Sequence, residues 1–387
     1  MSNHKMAQLL AQKSAQLIQG CIKVAHDGTK LFTPDGIASY DALWVRDFAY
    51  MVEYASEFIE PDDIRAAVDF IMGGKREDGW LPDRIYADGL GVYAAGVVEK
   101  PVGEANLDNT PFLTYVVYFY LQRLGETEAR EQFGKWAGAL DQGMSLIPLS
   151  ADGLVYNNPA QPHSPYGFTD TIGKTGELFM ESLLYWRASR FLLQLHRDYG
   201  QAAKAQSYEQ QAAAIERSIF KLYDPAQKGF YAATGECKQL DIWGMAYLLY
   251  IDFPAGDIRE DLLAFLRDNY HAYAYKGQIR HLLQNEYWER LLIEVPHEEY
   301  QNGAYWATAS GWVIWCLAQT DGKLAAQALS DVTRSFINDG IFECLNEHYS
   351  KLDSFVVSAT NVHGAYKRLV QEQAQSFIQA VDELEQI

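Results

Sequence analysis

The sequence predicts an all-α chain folded as an (α/α)6 toroid, a closed ring of six helical hairpins, and three observations carry that expectation. Six junctions recur along the chain: Trp44-Val-Arg-Asp47, Asp108-Asn-Thr-Pro111, Phe168-Thr-Asp170, Asp241-Ile-Trp243, Gln301-Asn-Gly303 and Asn361-Val-His363. With Asp47, Asp108, Asp170, Asp241, Asn302 and Asn361 as markers, the steps are 61, 62, 71, 61 and 59 residues, so one supersecondary unit is repeated six times. The runs after the junctions are apolar nearly all round, which suits a helix buried on every side. Short turns alternate with long connections, as antiparallel helix pairs require.

Each element follows in order. Gln8-Leu-Leu and Leu17-Ile carry apolar residues at helical spacing ahead of Cys21-Ile-Lys-Val24, which predicts an amphipathic surface helix. The run after Asp47 (Phe48, Met51, Val52, Tyr54) ends at Glu60-Pro61-Asp62, where Pro suits the first position of the next helix. Val116-Val-Tyr-Phe-Tyr120, Leu183-Leu-Tyr-Trp186, Met245-Ala-Tyr-Leu-Leu249 and Val313-Ile-Trp-Cys-Leu317 read as inner helices, and the partner runs carry the charge, as in Glu209 to Arg217. Turns at Gly125-Glu-Thr, Tyr199-Gly200, Asp252-Phe-Pro-Ala-Gly256 and Thr320-Asp-Gly322 join the pairs. The long connections, Asp27 to Tyr40, Arg76 to Leu107, Pro148 to Thr169, Asp224 to Leu240, Ala272 to Gln301 and Asn338 to Ala359, all precede a junction. Loops of this length in a compact body signal function. We expect one domain over residues 1–387, with twelve helices and every long loop gathered at one end of the ring, where helix N-termini converge.

Composition narrows the partners. Lys+Arg 32 against Asp+Glu 51 leaves a net charge of −19 with no basic cluster, which excludes nucleic acid and anionic membranes as expected partners. Apolar runs such as Phe112 to Leu121 fall short of the roughly 20 residues a membrane span needs. Met1 to Gln19 has no continuous apolar stretch of the signal-peptide kind, and Cys21, Cys237, Cys316 and Cys344 form no CxxC pair, so a reduced, cytoplasmic setting is expected. His163, His281, His297, His348 and His363 show neither HExxH nor paired spacing, so no metal is expected. Oligomeric state is not legible.

The plain reading of Asp108, Asp170 and Asp241 is that each caps its own helix. The ring, however, brings them to one mouth with Asp47, Glu343 and Glu347, interleaved with Trp44, Trp80, Tyr166, Trp243, Tyr305 and Trp306. Acids among aromatics at the bottom of a cup describe a carbohydrate site for a small sugar substrate.

Leu43-Trp-Val-Arg-Asp-Phe48 resembles the W-x-R-D segment of glucoamylases and related (α/α)6 glycosidases, including processing α-glucosidases and exo-α-1,6-mannosidases. The resemblance implies that Arg46 and Asp47 grip hydroxyls of the terminal sugar. It places the general acid in Pro165-Tyr-Gly-Phe-Thr-Asp170, hence Asp170, opening the third inner helix with Lys174 and Glu177 one and two turns on. The general base is implied in Phe342-Glu-Cys-Leu-Asn-Glu-His-Tyr349, where Asn346-Glu347-His348-Tyr349 is the nearer match; Glu347 is assigned and Glu343 held in reserve. The chain departs from the family in reading Lys351-Leu-Asp-Ser354 where a Thr-Gly turn often follows. Gln301-Asn-Gly-Ala-Tyr-Trp306 resembles a Q-N-G-x-Y-W opening that lines the pocket, implying roles for Gln301, Asn302, Tyr305 and Trp306, against an ordinary Asn-Gly turn followed by core aromatics. Asp83 and Arg84 lie where related enzymes touch substrate, against an exposed turn.

The implied function is an exo-acting, inverting hydrolase of an α-linked glucoside or mannoside that needs no cofactor. Its chemistry requires one carboxyl kept protonated and one kept ionised. A separation of about 6.5–9.5 Å between them leaves room for water and gives inversion, and about 5–5.5 Å gives retention. Two alternatives stay open: an epimerase of the N-acylglucosamine type using His348 and His363, and a sugar-binding toroid without catalysis.

Overall fold

Apolar character decides which helices lie inside. The structure, a computed structural model, describes residues 5–386; Met1 to His4 of the N-terminal stretch and Ile387 lie outside the described residues. In chain order the helices are α1 (Lys5–Gly20), α2 (Val45–Ala55), α3 (Pro61–Gly73), α4 (Asn109–Leu121), α5 (Glu126–Leu146), α6 (Phe179–Asp198), α7 (Ala202–Ser218), α8 (Ile242–Tyr250), α9 (Ile258–Asp268), the single turn α10 (Tyr270–Tyr273), α11 (Ser310–Ala318), α12 (Gly322–Asn338), α13 (Val356–Gln371) and α14 (Gln375–Glu385). Helices α2, α4, α6, α8, α11 and α13 each pack on the next, and α13 closes on α2. This is the inner ring of an (α/α)6 toroid.

Every residue of α8 and α11 is buried, as two segments with no charged residue and only Ser310 as a small polar one demand. The outer helix α3 buries one stripe instead, Ile64, Ala67, Val68 and Ile71, at the three- and four-residue spacing of a helix face. Helices α5, α7, α9 and α12 sit outside their partners in the same way, while α14 packs on α12 and α1 on α13. Among the described residues the outer layer therefore holds seven helices rather than the expected six, because α1 and α14 both flank the closing hairpin. The aromatic surplus fills the middle, where Trp312 donates its Nε1–H to Tyr54 Oη at 3.0 Å and packs against Tyr50, Trp243 and Tyr247.

The long connections are less irregular than expected. They carry short antiparallel ribbons: Ile22–Val24 with Lys30–Phe32, Tyr156–Asn157 with Gly176–Glu177, Tyr223–Asp224 with Gly229–Phe230, Ala274–Tyr275 with Gln278–Ile279, and Cys344–Leu345 with Ser350–Lys351. A three-stranded piece joins Ala42–Trp44, Arg84–Tyr86 and Gly91–Val92.

Not every junction opens a helix. Asp170 closes a one-turn 3-10 segment, Gly167–Thr169, and α6 starts only at Phe179. Gly176, held at φ +80, interrupts any earlier helix, so Lys174 and Glu177 are not successive turns beyond Asp170. Likewise Gly303 at φ +131 delays α11 to Ser310, and Asn361 lies inside α13. Asp241 does cap its helix, accepting from Gly244 N at 2.9 Å, whereas Asp108 occupies the cap position of α4 without capping it. Among the described residues no helix is long and apolar enough to cross a membrane, and all four cysteines are buried and free.

Candidate active site

The pairing of two loops builds the first wall. Trp44 stands opposite Arg84 in the three-stranded piece, which sets Asp83, Arg84, Trp44 and the first turn of α2 side by side. Arg84 donates to Asp83 Oδ2 at 2.9 Å and lies 4.6 Å from the Trp44 ring centroid. Arg46 pairs with Asp83 through Nη2 and donates from Nε to Asp108 Oδ2 at 3.1 Å. Asp83 and Arg84 are therefore buried, not an exposed turn, and two carboxylates already engage the Arg46 guanidinium expected to grip sugar. Asp47 differs: it lines the cavity, and its buried Oδ1 has no partner among the described residues. Burial pushes its carboxyl up to about 8; Arg46 opposes this and Glu343 adds to it.

Gly167 positions the second wall. Asp108 Oδ2 also accepts from Gly167 N at 2.8 Å, drawing the 167–170 turn against Arg46 so closely that a Cβ on Gly167 would lie 1.6 Å from Arg46 Nε. Only glycine fits there. Asp170 ends this turn with its carboxyl in the cavity, Oδ1 accepting from Gln301 Nε2 at 2.8 Å. Burial raises it to about 7, against the pull of Arg46 and of the Gln301 hydrogen bond.

The third wall separates the two candidates for the base. The ribbon pairs Cys344 with Lys351 and leaves Asn346 to Tyr349 as its turn, Asn346 N donating to Tyr349 O at 2.7 Å. Glu347 thus sits at the tip, its side chain 78% exposed beside His348, bordering a separate groove with Tyr275, Tyr305 and His297. Glu343 sits at the root and is 3% exposed. Tyr40 Oη donates to its Oε1 at 2.9 Å, and Lys351 Nζ stands 3.0 Å from Oε2. Burial raises the Glu343 carboxyl, while Lys351, Tyr40 and Tyr300 pull it back toward the ionised form.

These walls border a small, partly open cavity with about 320 Å³ of empty space, open solvent counted in. Besides the residues above it is lined by Pro34, Tyr300, Phe168 and Phe355. Phe168 forms the floor, with Tyr50, Trp243 and Trp306 packed behind it.

Of the expected residues, the structure brings Trp44, Arg46, Asp47 and Asp170 to the cavity, with Asp83, Arg84, Asp108 and Gln301 bonded to them from behind. Others are deeper. Trp80 packs on His163, Tyr166 Oη bonds Tyr50 Oη at 2.9 Å, Lys174 pairs with Glu181 at 2.6 Å, and Trp243 stacks on His281 at 4.0 Å. Asn302 accepts from Trp288 N at 3.1 Å, Trp306 donates to Tyr300 O at 3.2 Å, and Tyr305 faces the outer groove. The histidines of the epimerase alternative stand apart from the cavity: His348 is exposed, and His363 bonds Glu57, just beyond the C-terminal end of α2, at 2.9 Å. Sequence reasoning missed Tyr40, Tyr300 and Lys351. The available signal was a short ribbon in the last connection, Cys-Leu and Ser-Lys flanking the turn Asn-Glu-His-Tyr, which returns Lys351 to Glu343.

The fold is that of the six-hairpin glycosidases. A rhamnosidase from Klebsiella oxytoca with rhamnose bound superposes with a TM-score of 0.66 at 14% identity, over 96% of this chain and 65% of that one. A GH63 mannosylglycerate hydrolase from Thermus thermophilus in complex with glucose gives 0.64 at 13%, over 92% and 99%. A GH78 family rhamnosidase of a Bacillus species gives 0.61 at 12%, over 96% and 35%. This chain thus spans less than two thirds of either rhamnosidase and nearly all of the mannosylglycerate hydrolase. No protein-family model matches the sequence, and no curated protein does.

Proposed function

We propose that this chain is an exo-acting glycoside hydrolase that removes an α-linked glucose or mannose unit with inversion, working as one domain in a reducing, cytoplasmic setting. The observation that carries the reading is a single cavity lined by three buried carboxyls in different surroundings, Asp170 against a neutral amide, Glu343 against an ammonium and phenols, and Asp47 with an unpartnered oxygen. Asp170, raised to about 7, holds a proton near neutrality and gives it to the glycosidic oxygen as the bond to the anomeric carbon breaks. Glu343 takes a proton from the water whose oxygen attacks that carbon from the opposite face. Asp47, with a free buried oxygen, holds a hydroxyl of the terminal sugar, and Trp44 offers its ring beside it. Glu343 replaces Glu347 as base because Glu347 stands at the ribbon tip in solvent.

The test is incubation with a panel of α-linked glucose and mannose disaccharides in D₂O, followed by proton NMR. Monosaccharide should appear first as the β-anomer. Deuterium uptake at C2 without cleavage would replace hydrolysis with epimerisation.

A further inference from the structure

The Gln301 side chain is 1% exposed and makes four hydrogen bonds. Its Oε1 accepts from Thr171 N at 2.9 Å and from Thr171 Oγ1 at 2.7 Å. Its Nε2 donates to Gly167 O at 3.1 Å and to Asp170 Oδ1 at 2.8 Å. A backbone N–H only donates and a backbone carbonyl only accepts, so Thr171 N and Gly167 O together fix which end of the amide is oxygen and which is nitrogen. Neither partner reverses.

We propose that Gln301 is a positioning residue that biases where Asp170 carries its proton, favouring Oδ1 as the carbonyl-type acceptor and Oδ2 as the oxygen that bears the O–H. A proton on Oδ1 would leave a hydroxyl oxygen, a poorer acceptor than a carbonyl oxygen, facing the Gln301 N–H at 2.8 Å. Asp170 lines the cavity, and a proton on Oδ2 stands clear of the Gln301 amide. The same amide braces the Gly167 carbonyl while Asp108 holds the Gly167 N–H, so the acid's turn is clamped from both sides. The Gln301 bond also favours ionised Asp170, acting against burial. Without it the proton would be held more tightly and on either oxygen. The consequence for catalysis rests on the glycosidase reading; the placement of the proton does not.

Two measurements separate these. In protein carrying ¹³C-carboxyl aspartate, the Asp170 signal, assigned by its loss in Asp170→Asn, is titrated in the wild type, in Gln301→Met and in the isosteric Gln301→Glu. The apparent pKa should rise by about one unit in Gln301→Met, the size of one hydrogen bond to a charged group, and also rise in Gln301→Glu, which puts a second carboxyl against Oδ1. An unchanged Asp170 titration in whichever variant folds would overturn the proposal. In parallel, kcat/KM against pH is followed on 4-nitrophenyl α-glucoside and α-mannoside. The alkaline limb should move upward in Gln301→Met, with kcat reduced and KM little changed. A uniform loss with no shift of the limb would make Gln301 merely structural. If the wild type turns over neither substrate, the glycosidase reading fails while the titration still decides the role of Gln301.

Discussion

Asp170 and Glu343 share one cavity and are both buried, yet what stands behind them differs. Asp170 leans on an amide that carries no charge, and the guanidinium nearest to it, Arg46, is already engaged by Asp83 and Asp108. Glu343 has an ammonium and a phenol within 3.0 Å. Burial raises both carboxyls, so burial alone does not tell the two apart; their neighbours do.

The strongest way to break this comparison is to remove either carboxyl. Asp170→Asn and Glu343→Gln should each lower kcat about 10²–10⁴-fold, the usual share of one acid or base, while Glu347→Gln leaves steady-state rates unchanged. Full loss in Glu347→Gln with activity kept in Glu343→Gln would reverse the assignment. Next comes Gly167→Ala, whose Cβ has no room against Arg46. Urea unfolding should show a loss of about 1–3 kcal/mol, the range for overpacking a tight site, together with reduced turnover; a variant as stable and active as wild type would show the two walls to be independent.

Smaller effects sharpen the contrast. Lys351 favours ionised Glu343 and, as a lesser cause, ionised Asp170, so Lys351→Met should move the acidic limb of kcat/KM to higher pH and the alkaline limb upward by less. The mildest concerns stability. Asp47, raised to about 8, binds its proton more tightly folded than unfolded, so its contribution is complete below the ordinary carboxylate range and is lost as pH rises toward 8. Chemical denaturation should therefore find that replacing it by Asn helps more at pH 8 than at pH 4; a difference that runs the other way contradicts a raised Asp47.

The ring was legible because helices such as α8 and α11 have no polar face to turn outward, a local property of each segment. Asp47 could be picked out as a candidate from a short motif at a helix start, and Asp170 from the aromatic segment Tyr166-Gly-Phe-Thr169 ahead of it. The engagement of Arg46 was not, because its partners Asp83 and Asp108 lie 37 and 62 residues away. Glu343 and Glu347 were not separable in the sequence for a related reason: four residues apart, they fall at the root and the tip of one ribbon, and the pairing of Cys344 with Lys351 decides which is buried.

The division of labour is tested most directly by a leaving group that departs without a proton. Wild type, Asp170→Asn and Glu343→Gln are compared on a 2,4-dinitrophenyl glycoside and on the unactivated disaccharide of the same sugar. Asp170→Asn should recover most of its rate on the dinitrophenyl substrate, where no acid is needed, and Glu343→Gln should stay inactive on both. Equal losses on both substrates for Asp170→Asn, or recovery in Glu343→Gln instead, would contradict Asp170 as the acid and Glu343 as the base.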